Sequence, residues 1–124
     1  MEVIRKHKDL KVFQVSFEAG MKIFELSKNF PKEEKYSLTD QMRRSSRSVS
    51  SNIAEAWRKR KYPKSFIAKL SDSEGEAAET QVWLDYALKC RYLSQENYDK
   101  LYDQYEHIIA MLINMSTKPD QWKF

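Results

Sequence analysis

The chain has 124 residues, a formal net charge of +4, 41% hydrophobic and 32% charged residues, and only two glycines and three prolines. That length fits one domain with a real core, and the scarcity of helix breakers suits long helices and poorly suits a turn-rich β protein. The polar start MEVIRKHKDLKVF has no apolar signal region, no stretch nears the roughly 18 uncharged apolar residues of a membrane span, and the single cysteine, Cys90, can form no internal disulfide. These features read as one all-α domain over 1–124, soluble and cytoplasmic, with 1–8 and 117–124 as less ordered tails.

Leu10, Phe13, Phe17, Met21 and Phe24 recur every three or four residues and predict an amphipathic first helix from about Asp9 to Ser27, with this stripe turned inward. Asn29-Phe30-Pro31 ends it, because the residue before a proline avoids the α region. Ser37-Leu38-Thr39-Asp40 resembles a capping box and opens a second helix running to about Lys61. Its expected buried stripe is Leu38, Met42, Ser45, Val49, Ile53 and Ala56. Ser46, Ser48, Ser50, Ser51 and Asn52 make its middle small and polar, which predicts a close helix crossing.

Pro63 suits the first turn of a third helix, whose stripe is Phe66, Leu70, Ser73, Ala77, Gln81, Leu84 and Leu88. Ser94 is the expected N-cap of a fourth, with Tyr98, Leu101, Tyr105, Ile108, Leu112 and Met115 inward. Trp122 and Phe124 predict that the tail docks. Short connections make an antiparallel up-down-up-down four-helix bundle the simplest architecture.

Catalytic and metal chemistry is poorly provided for. A di-iron bundle needs Glu-x-x-His, but Ile4 and Gln104 stand three before His7 and His107, and two histidines with one cysteine do not supply a usual zinc set. No glycine-rich phosphate loop exists. The reading is no enzyme, no catalytic residue, no metal, no cofactor, no membrane and no small-molecule substrate. The cluster Asp72, Glu74, Glu76 and Glu79 reads as a solvated face or as partners for basic groups.

Charge is unevenly distributed. Residues 43–64 carry eight basic groups against Glu55 alone, a balance of +7, whereas residues 65–106 carry four against nine, a balance of −5. Arg43, Arg44 and Arg47 cluster early in the second helix; Arg58, Lys59, Arg60, Lys61 and Lys64 cluster near its end. Such groups suit phosphate oxygens, gaining affinity by counterion release without reading bases. They equally suit ion pairs with the acidic third helix of the same or a neighbouring subunit. Tyr62 beside the cluster reads as a buried or capping residue, with base stacking as the alternative.

Gln41-Met42-Arg43-Arg44-Ser45 followed by Ser51-Asn52-Ile53-Ala54-Glu55 resembles the four-helix bundle proteins encoded within intervening sequences of bacterial 23S ribosomal RNA genes. Phe30-Pro31, Glu34-x-Tyr36-Ser37-Leu38, Phe66, Glu79-Thr80-Gln81 and Tyr92-Leu93 follow in the family's order, so the resemblance covers roughly residues 8 to 115. Ser50 and Ala56 depart from the proline and glycine of many members. The resemblance implies a ring-like homopentamer that binds RNA, and related accessory variability proteins of diversity-generating retroelements bind nucleic acid through a basic surface. It also implies family-type basic positions at Arg43, Arg44 and Arg47, followed by Arg58, Lys59 and Arg60, and structural roles for Asn52, Glu55 and Glu79, the first two bonding across helices. The alternative is an oligomeric protein-interaction module that binds no nucleic acid; a third reading is a subunit that delivers RNA or DNA to a polymerase.

Overall fold

The computed structural model describes residues 3–123; Met1, Glu2 and Phe124 lie outside the described residues, and with Phe124 goes half of the expected docking tail. Four helices, α1 (Lys11–Ser27), α2 (Leu38–Arg58), α3 (Pro63–Lys89) and α4 (Gln95–Ser116), are joined by short connections, with no strand among the described residues. The closely packed pairs are α1–α2, α2–α3, α3–α4 and α4–α1, so the helices close a square.

Cross-helix hydrogen bonds give their directions. Ser16 meets Ser50 and Ser27 accepts from Arg43, so α1 and α2 run opposite ways. Ser45 meets Thr80 while Ser73 donates to the Val49 carbonyl, which reverses α3 against α2. Gln81 reaches the Tyr102 carbonyl and Tyr98 reaches Asp85, which reverses α4 against α3. The bundle is antiparallel, up-down-up-down.

The same bonds explain the serine-rich middle of α2. Ser45, Ser46, Ser50, Ser16, Ser73 and Thr80 are all buried, where their small side chains let backbones approach and each hydroxyl finds a partner. Apolar layers fill the space between, with Met42, Val49 and Ile53 facing Phe66, Leu70, Leu84, Ile108 and Leu112. The α2 stripe is buried as expected; in α3, Ala87 takes the interior place expected for Leu88, and in α4 Tyr98 is half-buried while the rest of the stripe is inside.

Two further expectations fail, although Leu10, the first residue of the expected α1 stripe, is buried. The buried residues of α1 are Val12, Ser16, Ala19, Ile23 and Ser27, while Phe17 and Met21 are 53% and 47% exposed and Phe13 and Phe24 half-buried. Close approach to α2 demands small side chains, so the most apolar face of α1 is left outside. Nor does Ser37 cap α2: its hydroxyl donates to Glu34 Oε1 at 2.7 Å, and that carboxylate takes the Leu38 N–H at 3.4 Å. A carboxylate is the stronger acceptor at the positive end of a helix. The hydrogen bonds from Ser37 and Tyr92, with that from the Leu38 backbone, hold the Glu34 carboxyl below its ordinary value.

Helix α2 stops at Arg58, short of the expected Lys61, while the openings of α3 and α4 follow sequence expectation. Pro63 opens α3, and Ser94 accepts from Asn97 N at 3.1 Å at the start of α4. Short 3-10 turns at His7–Asp9 and Pro119–Gln121 precede α1 and follow α4, and Trp122 docks edge-on against the buried Trp57 with ring centroids 6.5 Å apart.

Candidate nucleic-acid interface

The eight basic candidates form two groups. Arg43 and Arg58 lie on one helix, roughly 22 Å apart at about 1.5 Å rise per residue, so a single compact site cannot include both.

The first group sits in the N-terminal half of α2, and its arginines are held in place. Arg43 Nε donates to Ser27 Oγ at 2.8 Å, and its guanidinium lies 4.8 Å from the Phe24 ring centroid, with Arg47 over the same ring at 5.9 Å. Arg44 donates to Gln41 Oε1 at 3.0 Å and lies 3.7 Å from Glu79 Oε2. Of these three, Arg44 alone meets the acidic α3 as the ion-pair alternative expects.

The second group surrounds the α2–α3 turn. Arg58, Lys59, Lys61 and Lys64 are exposed, and no described carboxylate lies within 4.0 Å of their charged nitrogens. Arg60 stacks on Trp57, its guanidinium 3.9 Å from the ring centroid, and donates to the Trp57 carbonyl at 2.7 Å. Burial there, with Arg58 close by, lowers its pKa from the ordinary value. Tyr62 is not buried: it occupies the N-cap position of α3, without a cap hydrogen bond from its side chain, and its ring is exposed, with Lys61 Nζ 5.2 Å from the centroid.

The topology adds cations that inspection of α2 alone overlooks. In an antiparallel bundle the start of α1 and the end of α4 lie beside the α2–α3 turn. The turn at His7–Asp9 accordingly packs against α2, and the turn at Pro119–Gln121 packs against α3. Lys6, Lys8 and Lys11 on one side and Lys118 and Lys123 on the other are exposed around the same end. Asp9 and Asp120 oppose them there, but Asp9 is occupied by the Arg5 and Lys6 backbone N–H groups at 2.9 and 3.1 Å, which lower its pKa. The predicted up-down topology was the available signal for this basic pole.

The expected structural residues divide. Glu55 pairs across helices with Lys69 at 3.6 Å, and Glu79 accepts from Trp83 Nε1 at 3.2 Å besides its contact with Arg44. Asn52 instead donates to the Ser48 carbonyl on its own helix at 2.9 Å, because it lies beside the seam and not in it. The acidic residues of α3 make no metal cluster, and no group of three or more His, Cys, Asp or Glu capable of holding a metal ion exists among the described residues. No helix among these residues is long and apolar enough to cross a membrane.

A family model described as "23S rRNA-intervening sequence protein" matches residues 8–114, nearly the whole helical part. The chain belongs to this family. A solved structure, a protein of unknown function from the S23 ribosomal protein family of Bacteroides thetaiotaomicron, is 30% identical and superposes with a TM-score of 0.77 over 86% of this chain and 95% of that one. No curated protein matches. The intervening-sequence family therefore accounts for the four-helix fold and for the α2 motif on which the resemblance rests.

Proposed function

We propose that the chain is a non-catalytic, cytoplasmic, homo-oligomeric protein that binds RNA or other nucleic acid through phosphate contacts, with no cofactor. The observation that supports this reading is the basic pole, where Arg58, Lys59, Lys61 and Lys64 meet the lysines around the start of α1 and beyond α4 without ion-pair partners among the described residues. Flexible, unpaired cations follow a phosphate backbone and do not read base edges.

Neutralising about five phosphates gives a log-log salt slope near −4, so a fourfold rise in salt costs roughly two to three decades of affinity. The test is fluorescence anisotropy of labelled RNA across a salt series, with wild type beside an Arg58→Glu/Lys59→Glu/Lys61→Glu/Lys64→Glu variant of unchanged size. Wild-type binding with that slope, lost in the variant, is the expected outcome; binding insensitive to salt overturns the reading.

A protein-interaction role has its own support in the exposed face of α1. Phe17, Met21 and their half-buried neighbours Phe13 and Phe24 line a cavity of about 380 Å³ with Gly20 and Arg47. We assign this face to contact between copies of the chain, in line with a homopentamer, because aromatic and methionine side chains concentrate at the centres of protein interfaces. Oligomer assembly and nucleic-acid binding then use different surfaces and are separable by mutation.

A further inference from the structure

The first arginine group lies away from the basic pole, and its surroundings suit a different task. Tyr36, Thr39, Asp40, Arg43, Arg44 and Arg47 line a groove of about 510 Å³ along the outer side of α2. Tyr36, at 83%, is the most exposed large hydrophobic side chain described, and it belongs to no core contact. Lys35 Nζ lies 5.3 Å from its ring centroid, and one ammonium can cover only one of the ring's two faces. Thr39, 7% exposed, has a hydroxyl with no hydrogen-bond partner among the described residues. A buried hydroxyl without a partner is unfavourable.

We propose that this groove is the subsite for an unpaired nucleotide, and that it makes the protein prefer single-stranded over duplex nucleic acid. The base stacks on Tyr36, while Arg43 and Arg47, already held over Phe24, take the flanking phosphates. Asp40 is the one carboxylate lining the groove. It is repelled by phosphate but accepts from a base amino group or a ribose hydroxyl, which places it at the base or sugar and not along the backbone. A duplex cannot use Tyr36, because its bases are already stacked on one another. Aromatic platforms beside a cationic groove are how single strands are held without sequence readout.

This inference rests on the nucleic-acid reading above, so its test separates the two. Anisotropy titrations compare labelled oligocytidylate RNA, its DNA counterpart and a blunt RNA duplex, with wild type, Tyr36→Ala and Tyr36→Phe at one salt concentration. Tyr36→Ala should weaken single-strand binding by about five- to a hundredfold, the effect of one lost base stack. Duplex affinity should not change, and Tyr36→Phe should bind as wild type does. Tyr36 is too exposed for its loss to disturb folding, which circular dichroism checks. If Tyr36→Ala binds all strands like wild type, or weakens strands and duplex equally, the subsite is wrong and the basic pole stands. If wild type binds no nucleic acid, both readings fall together.

Discussion

Replacing Thr80 by valine tests whether the buried hydroxyl seam sets the spacing of α2 and α3. Thr80 Oγ1 lies 2.8 Å from Ser45 Oγ and donates to the Glu76 carbonyl at 2.9 Å, and both side chains are fully buried. Valine keeps the shape and removes the hydroxyl. Ser45 is left with the Met42 carbonyl at 3.3 Å, a long bond but not an orphaned group. The substitution removes the inter-helix hydrogen bond, about 1 kcal/mol, together with the donation to the Glu76 carbonyl, a group already inside the backbone ladder of α3. For a domain of this size that lowers the melting temperature by roughly 4 °C. Ser45→Ala leaves Thr80 bonded to Glu76, so it should cost about the same. The double variant should cost about 1 kcal/mol and not 2, because the two substitutions remove one shared bond. Urea denaturation of the four proteins gives the coupling energy. Two additive or neutral substitutions refute the seam as a hydrogen-bonded contact and leave side-chain size as the only reason for its serines.

Phe17→Glu with Met21→Glu should leave the melting temperature of the isolated subunit nearly unchanged, because both side chains are about half exposed, yet dissociate the oligomer in light scattering. A variant that stays assembled takes this face out of the subunit contact. Gly75→Ala should stabilise α3 by about 1 kcal/mol in denaturant titration, since Gly75 is an exposed helix-interior position and an added Cβ meets nothing within 4 Å. Burial, and next to it Glu79, raises the Glu76 pKa above 4.5, so the folded state holds this proton more tightly than the unfolded chain and loses stability as pH rises through the window above 4.5. Glu76→Gln should accordingly raise the melting temperature at neutral pH, with the gain fading as pH falls to 4.5; a gain that persists unchanged in acid refutes the assignment.

What sequence reasoning could see depended on what each helix has to exclude. In α2 and α4 the apolar residues at helical spacing are inside, so Met42, Val49, Ile53, Ile108 and Leu112 were legible, although α2 buries Ser45, Ser46 and Ser50 beside them. In α1 the criteria separate. Ser16, Ala19 and Ser27 are buried because α2 passes close to them, and the aromatics are outside because they do not fit there. A periodicity argument finds the most apolar face, which equals the buried face only where no backbone approaches closely. Ser37 misled for a related reason: its hydroxyl competes for the helix start with Glu34, which the 3-10 turn at Lys32–Glu34 brings into reach. The candidate site was half legible. The charges were plain, but their division into a pole and a groove needed the antiparallel arrangement and the length of α2.

The misread face of α1 also bears on function. A core closed on the α1 side by Val12, Ser16, Ala19 and Ile23 does not need Phe17, Met21 or Tyr36, whose exposed side chains contribute little to the stability of the single subunit. Exposed aromatics carry a solubility hazard and a solvation cost, and a chain that keeps them outside a finished core gains from them elsewhere. The same logic applies to the unpaired lysines of the pole, which repel one another at no benefit to the fold. On the proposed function, fold, assembly and ligand binding use nearly disjoint residue sets: the hydroxyl seam with its apolar layers, the α1 face, and the cationic surfaces of α2 and the pole. Arg47 is the exception. It lines both the apolar cavity of α1 and the groove that holds Tyr36, so a subunit packed on the first positions a guanidinium of the second. If assembly orders that arginine, Arg47→Ala should weaken single-strand binding in the oligomer more than in a dissociated Phe17→Glu/Met21→Glu background. Equal losses in the two backgrounds would show that the surfaces act independently.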